Sequence, residues 1–279
     1  MPSDKRARQR AAREARLAAE AKAQKRRRQI RNGVIAVIVA GVVIGIVFAV
    51  SGNNPKTVGS QSSTSTTLVT PQAKENAKLQ KDANQVAVKA GCPASPKTSA
   101  NHQTYTTAPP MTIDTTKSYS ATVVTTAGTF DIALNAKAAP KTVNNFVFLA
   151  NKGYYRCNSF FRVIPGFINQ AGSSTQTNSG TGGVSYTLPS ENLPPLGTAS
   201  SPAYPTGSVA MATGGQGVSG NEFFIVAGPQ GASLGSTYPL FGLVSSGLNV
   251  VKTINQQGST SGIPPDVTQR ILSVTIHES

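Results

Sequence analysis

The sequence predicts a mainly β fold, an antiparallel barrel closed on itself with two helices, preceded in the chain by a single membrane-spanning helix. Three observations lead there. Between Tyr119 and His277, short β-branched runs with period-two alternation recur, separated by turns rich in Gly and Pro. Only two stretches in that span keep helical spacing, too few for the repeated crossovers of a parallel sheet. Upstream, Gly33 to Val50 is an 18-residue run without a charge, rich in Val and Ile.

Taken in order, residues 1–32 carry 12 Lys and Arg against 3 acidic groups, +9 of the whole chain's +15. A basic tail can bind nucleic acid, but directly before an apolar span it reads as a topology signal, and no nucleic-acid partner is expected. At ~1.5 Å per residue, Gly33 to Val50 would extend about 27 Å, close to the thickness of a hydrocarbon core. Residues 33–51 are therefore expected to form one transmembrane helix. Lys25, Arg26, Arg27, Arg28 and Arg31 would hold the N-terminus in the cytoplasm and place everything after Ser51 outside. The rival reading is a cleaved signal peptide, since Ala49-Val50-Ser51 suits a small-residue cleavage site. Against it, the apolar run exceeds the ~7–15 residues of a usual signal core.

Residues 52–90 begin with a Ser/Thr-rich tract, SQSSTSTTLVT, that offers nothing to a core and reads as a flexible tether. Ala73 to Lys89 has the composition of a short helix with a thin apolar face. As coil, such a linker would span roughly 35 Å. Residues 91–279 make the folded domain, with a Pro- and Thr-rich lead-in to Pro110 and a core over 119–279. Tyr119 to Thr126 and Thr129 to Leu134 read as a hairpin turning at Ala127-Gly128. Pro140 suits a first helical turn; Val143, Phe146, Val147 and Ala150 share one face, and Lys152-Gly153 supplies a stop. Further strands are expected at Asn158 to Gly172, Gly207 to Ala212, Phe223 to Ala227, Leu240 to Val244 and Ile271 to His277. Leu248 to Gln256 forms the second helix, with Val250, Val251 and Ile254 on one side.

The chain has two cysteines, Cys92 and Cys157, both on the outer side of the apolar span. In an oxidising compartment they would pair, whereas two buried free thiols are the alternative. Two cysteines make no zinc site, and His102 and His277 fall in peripheral segments, so neither a metal nor another cofactor is implied. The glycines from Gly180 to Gly183 are followed by no lysine and no helix start, as a phosphate cradle would require.

The densest signal is NSFFRVIPGFINQAG, residues 158–172. Arg162 interrupts an apolar run that turns through Pro165-Gly166 and resumes as Phe167-Ile168 before Gln170. Strict alternation would put Phe161, Val163 and Pro165 on one face, with Phe160, Arg162 and Ile164 on the other. From spacing alone, an amphipathic strand with one solvated arginine fits as well as a site. Its forked donors beside aromatic rings would suit an extended peptide.

FFRVIPGFINQAG resembles the signature of the cyclophilins, a family of peptidyl-prolyl cis-trans isomerases (rotamases), in which the pattern usually runs F-H-R-V-I-x-x-F-M-I-Q-G-G. GSVAMA resembles the family's G-x-L-S-M-A strand, NEFFIV its S-Q-F-F-I strand, and TGGVSY the Gly-rich loop between them. The likeness implies an eight-stranded closed barrel with a helix over each open end. It also implies activity on X-Pro bonds in unfolded or extended polypeptides outside the membrane, assisting protein folding. By the same resemblance, Arg162, Phe167 and Gln170 are the expected catalytic residues: donor, floor of the proline pocket and peptide-contacting amide. Phe161, Ile168, Met211, Ala212, Thr213, Glu222, Phe224, Leu234 and Tyr238 are the expected substrate-binding set. Phe161 replaces the usual histidine, Ile168 the methionine and Glu222 the glutamine. A carboxylate at 222 would either orient Arg162 or pair with it and compete with substrate. Competition would make Glu222→Gln a gain, and would leave a tethered proline-peptide adaptor with little turnover as the alternative function. The reading is of a monomer.

Isomerisation needs no nucleophile. The amide barrier is ~18–20 kcal/mol because rotation breaks C–N resonance, and the twisted state exposes a lone pair on the proline nitrogen. A donor aimed at that lone pair favours the transition state over the planar ground state.

Overall fold

A computed structural model of the chain describes residues 70–98, 102–173, 183–198 and 200–279. The basic tail, the apolar run of residues 33–51 and the Ser/Thr-rich tract up to residue 69 lie outside the described residues, as does most of the Gly180 to Gly183 stretch. Among the described residues no helix is long and apolar enough to cross a membrane.

Among the described residues there are three α-helices and nine strands. Helix α1 is Pro71–Lys89, α2 Pro140–Asn151 and α3 Leu248–Gln256. The strands are β1 Tyr119–Thr125, β2 Gly128–Leu134, β3 Arg162–Ile164, β4 Ile168–Ala171, β5 Thr187–Leu188, β6 Ser208–Gly214, β7 Gly217–Val226, β8 Leu240–Ser246 and β9 Ile271–Glu278. They form one antiparallel sheet in the order β3-β4-β7-β6-β8-β2-β1-β9, with β5 added to β7.

Sequence alternation becomes burial directly in β1, where every second residue from Tyr119 to Thr125 points into the core. Helix α2 buries Val143, Phe146, Val147, Leu149 and Ala150. Phe146 sits at the centre of the core, its ring 5.1–5.7 Å from those of Tyr155, Phe223 and Phe241. Ala139 offers no capping side chain to α2. Glu191, from the loop after β5, takes that role by accepting from Thr142 N at 2.9 Å and Lys141 N at 3.2 Å.

The sheet is open, not closed as expected. Its end strands β3 and β9 do not pair; an isolated bridge, Ser159 to Arg270, lies just ahead of both. Strand β3 is only three residues long, and its free edge is taken by the loop after α3, from which Gly262 O accepts Val163 N at 2.9 Å. That loop prevents β9 from pairing along β3.

The seam is covered from the N-terminal side. Thr70 caps α1 through its side chain, and Ala83 and Ala87 face the barrel. The Gln80 side chain pairs with the Thr268 backbone in both directions, at 2.7 and 3.3 Å. Cys92 and Cys157 form a disulfide packed against Ala87. Arg270 is 1% exposed and donates to Pro93 O at 2.5 Å and Asn84 Oδ1 at 3.2 Å. The segment expected to be a tether with a short helix thus ends in a 19-residue helix docked on the domain.

Candidate active site

The β3–β4 hairpin carries the site. Its turn, Pro165 to Phe167, uses Gly166 at φ +74°, a left-handed conformation that a side chain would strain. Asn255 on α3 secures it, accepting Gly166 N at 2.7 Å and donating to Ile164 O at 2.9 Å and Asn169 Oδ1 at 2.8 Å. At the other end of β4, Gly172 lies so close to β7 that a Cβ there would sit 2.1 Å from Asn221 O.

Register then builds one row of side chains across four strands. Arg162 pairs with Gln170, Gln170 with Phe224, and Phe224 with Ala210. This row lies on the face away from the main core. Ile168, Ala210, Phe224 and Val226 cluster there with Tyr204, flanked by Phe167, Leu234, Tyr238 and Leu240. A cavity of about 290 Å³ opens on it, lined by Arg162, Phe167, Ile168, Gln170, Ala212, Thr213, Phe224, Leu234 and Tyr238. Phe224 and Tyr238 meet edge to face, centroids 5.1 Å apart. At the wall, Arg162 Nη1 donates to Gln170 Oε1 at 3.1 Å, and Gln170 Nε2 donates to Glu222 Oε2 at 3.0 Å. Burial pulls the Arg162 guanidinium below its usual range, opposed by the Tyr238 phenol. Burial likewise raises the Glu222 carboxyl, with hydrogen bonds from Gln170 and Ser173 opposing the shift.

Nine of the twelve expected site residues line this cavity. Met211 does not: it is fully buried and paired with Phe223 in the main core, on the inner face of β6. A register shift between Met211 and Thr213 turns both Ala212 and Thr213 toward the cavity, which strict alternation would not do. Phe161 is buried and lines none of it. The expected facing of its neighbour is also corrected, because Phe160 joins Val163 in the core, away from the partly exposed Arg162. Alternation fails there because β3 begins only at Arg162, and Phe160 N bonds instead to Gln269 O at 3.0 Å. Glu222 stands one residue back from Arg162, with Gln170 between them, so the competing ion pair is not formed. Among the described residues the one salt bridge joins Lys117 to Glu278.

Sequence reasoning missed Tyr204. It is fully buried, donates to Tyr238 O at 2.7 Å and accepts from Tyr238 N at 3.0 Å, fixing the backbone that carries the cavity's aromatic edge. Its only signal is an aromatic residue between two prolines, Pro202 and Pro205. A second hollow of about 680 Å³ runs along α1 past Gln80, Asn84 and Val88, but it brings together no aromatic socket and no directed cation.

A cation fixed at the rim of a small apolar socket suits a five-membered ring whose nitrogen belongs to an amide. Residues 120–276, more than half of the chain, match the family described as Cyclophilin type peptidyl-prolyl cis-trans isomerase/CLD. The chain belongs to the cyclophilin family. Peptidyl-prolyl cis-trans isomerase B of Bacillus subtilis (strain 168) is 40% identical to it over 126 residues, 45% of this chain and 82% of that protein. A peptidyl-prolyl cis-trans isomerase of Helicobacter pylori (strain ATCC 700392 / 26695) is 36% identical over 141 residues, 49% of this chain and 80% of that one. Among solved structures, a Cryptosporidium parvum cyclophilin type peptidyl-prolyl cis-trans isomerase has a TM-score of 0.49 and 26% identity, covering 58% of this chain and 99% of its own. This cyclophilin is an enzyme, an isomerase of peptidyl-prolyl bonds.

Proposed function

We propose that this cyclophilin works at the outer side of a membrane, held by residues 33–51, and isomerises X-Pro bonds in extended or unfolded polypeptides so as to assist their folding. Uncatalysed exchange of such bonds takes ~10–100 s, slow enough to limit folding. The observation that carries the reading is Arg162. Its guanidinium is aimed by Gln170 at the rim of the socket built from Phe167, Ile168, Phe224 and Leu234. A proline ring seated in that socket presents its nitrogen to the arginine as the amide twists and the lone pair appears. Gln170 and the backbone near Thr213 hold the flanking peptide.

The adaptor alternative drew its support from Glu222 sequestering Arg162, and the interposed Gln170 removes that support. The membrane part rests on the charge pattern around the uncharged Gly33 to Val50 run. Arg162→Ala in the full chain tests the chemistry. kcat/KM on a proline peptide is expected to fall by one to two orders of magnitude, about 1.4–2.8 kcal/mol of lost transition-state binding, with the fold unchanged. Unchanged turnover would refute the role of Arg162. Protease added to intact cells should remove the domain and leave a small membrane-bound stub. Recovery of the whole domain free of membrane, with an N-terminus near Gly52, would refute the anchor.

A further inference from the structure

The side chain of Glu222 is 6% exposed and lines none of the cavity, yet it sits on the same face of β7 as Phe224. Its carboxylate accepts from Gln170 Nε2 and from the Ser173 hydroxyl. Gln170, itself 7% exposed, turns its other end to Arg162. An ionised carboxylate only accepts, so it dictates which end of the Gln170 amide faces it and leaves the carbonyl for the guanidinium, which only donates. A neutral amide at 222 would offer both a donor and an acceptor. The Gln170 side chain could then be reversed, setting its NH2 against the N–H groups of Arg162.

We infer that Glu222 is a positioning residue for isomerisation: acting through Gln170, it holds the Arg162 guanidinium at the rim of the proline socket. The inference rests on the reading of Arg162 as the catalytic donor. The groups around Glu222 leave it to act alone in this part. Arg162 on β3 lies beyond Gln170. On the side of the segment after α2, the phenols of Tyr154 and Tyr155 bond to Asn221 rather than to the carboxylate, at 2.9 and 3.5 Å. Ser219 on its own strand donates nothing ionisable and accepts Glu222 N at 2.9 Å. On β6, Met211 to Gly214 carry no ionisable side chain. Protonation of Glu222 converts one acceptor oxygen into a donor, so the orientation it enforces is lost in acid.

The test is kcat and KM for a proline peptide by NMR exchange, from pH 4 to pH 8, on the full chain and on Glu222→Gln, Gln170→Ala, the double variant and Arg162→Ala. At pH 7, Glu222→Gln is expected to lower kcat about three- to tenfold, as for loss of one directed hydrogen bond, with KM little changed. Native kcat should decline on acidification, whereas that of Glu222→Gln should stay level over the same range. In the Gln170→Ala background, Glu222→Gln should have no further effect. A native kcat that is level from pH 8 to pH 4 overturns the inference without recourse to any variant. So does a full-sized further loss in the Gln170→Ala background, or native kcat in Glu222→Gln while Arg162→Ala is inactive. Arg162→Ala with native turnover removes the underlying reading instead, which keeps the two failures apart.

Discussion

Breaking the Cys92–Cys157 disulfide is expected to destabilise the domain strongly. The bond closes a loop of 65 residues that contains β1, β2 and α2. In the chain-entropy account, freeing a loop of that length returns about 4 kcal/mol of conformational freedom to the unfolded state. For a folded unit of this size, each kcal/mol corresponds to about 2–4 °C, so Tm should drop by roughly 8–16 °C. A second contact limits how far the segment can follow. The disulfide pins the segment whose Pro93 O and Asn84 Oδ1 are the acceptors for the buried Arg270 guanidinium. If the segment lifts, that cation is left buried without partners, an arrangement that costs about 3–5 kcal/mol when it cannot relax. Lifting should therefore be resisted until the sheet itself unfolds, and the transition should stay single. The assay is calorimetry of the native protein with and without reductant, beside the Cys92→Ala/Cys157→Ala double variant. A Tm within about 3 °C of the oxidised protein would refute the reasoning, and an early separate transition would show that Arg270 does not hold the segment in place.

Two further outcomes are expected. Asn255→Ala removes the side chain that accepts Gly166 N and donates to Ile164 O and Asn169 Oδ1, and should cost about 2–4 kcal/mol in denaturant unfolding while raising KM, because Phe167 rides on that turn. The raised carboxyl of Glu222 gives the folded state more bound proton than the unfolded state between the ordinary value of 4.5 and its own, so this group's contribution to stability falls as pH rises through that window; Glu222→Gln should abolish that slope, and an unchanged slope would contradict the burial argument.

Much of the fold can be read from local pattern. Tyr119 to Thr125 alternates because one face of β1 is core, and Val143, Phe146, Val147 and Ala150 recur at helical spacing because α2 has one buried side. The signature places Arg162, Phe167 and Gln170 on one hairpin, and the structure brings them to one cavity. What escapes the pattern depends on contacts between distant segments. Met211 sits on the inner face, and Thr213 turns outward only because of a register shift against β7. Phe160 and Phe161 are both buried because the chain there pairs with Gln269 before β3 starts. Glu222 looks like a rival for Arg162 in sequence, and only the placement of Gln170 shows that the two do not meet. The docking of α1 rests on Gln80 and Asn84, two amides whose partners lie 188 and 186 residues away.

The covalent link at Cys157 also decides how the domain carries mechanical load. Tension entering from the N-terminal side at Pro71 passes along α1 to Cys92 and crosses the S–S bond to Cys157, where it joins the chain that leads into β3. The chain between the two cysteines, residues 93–156, is bypassed and cannot be drawn out. At ~3.4 Å per residue, that withholds about 220 Å of contour length from any pulled molecule until the bond is reduced. The force-bearing path therefore reaches the cavity first at Arg162 on β3, while β1, β2 and α2 stay off the line of pull.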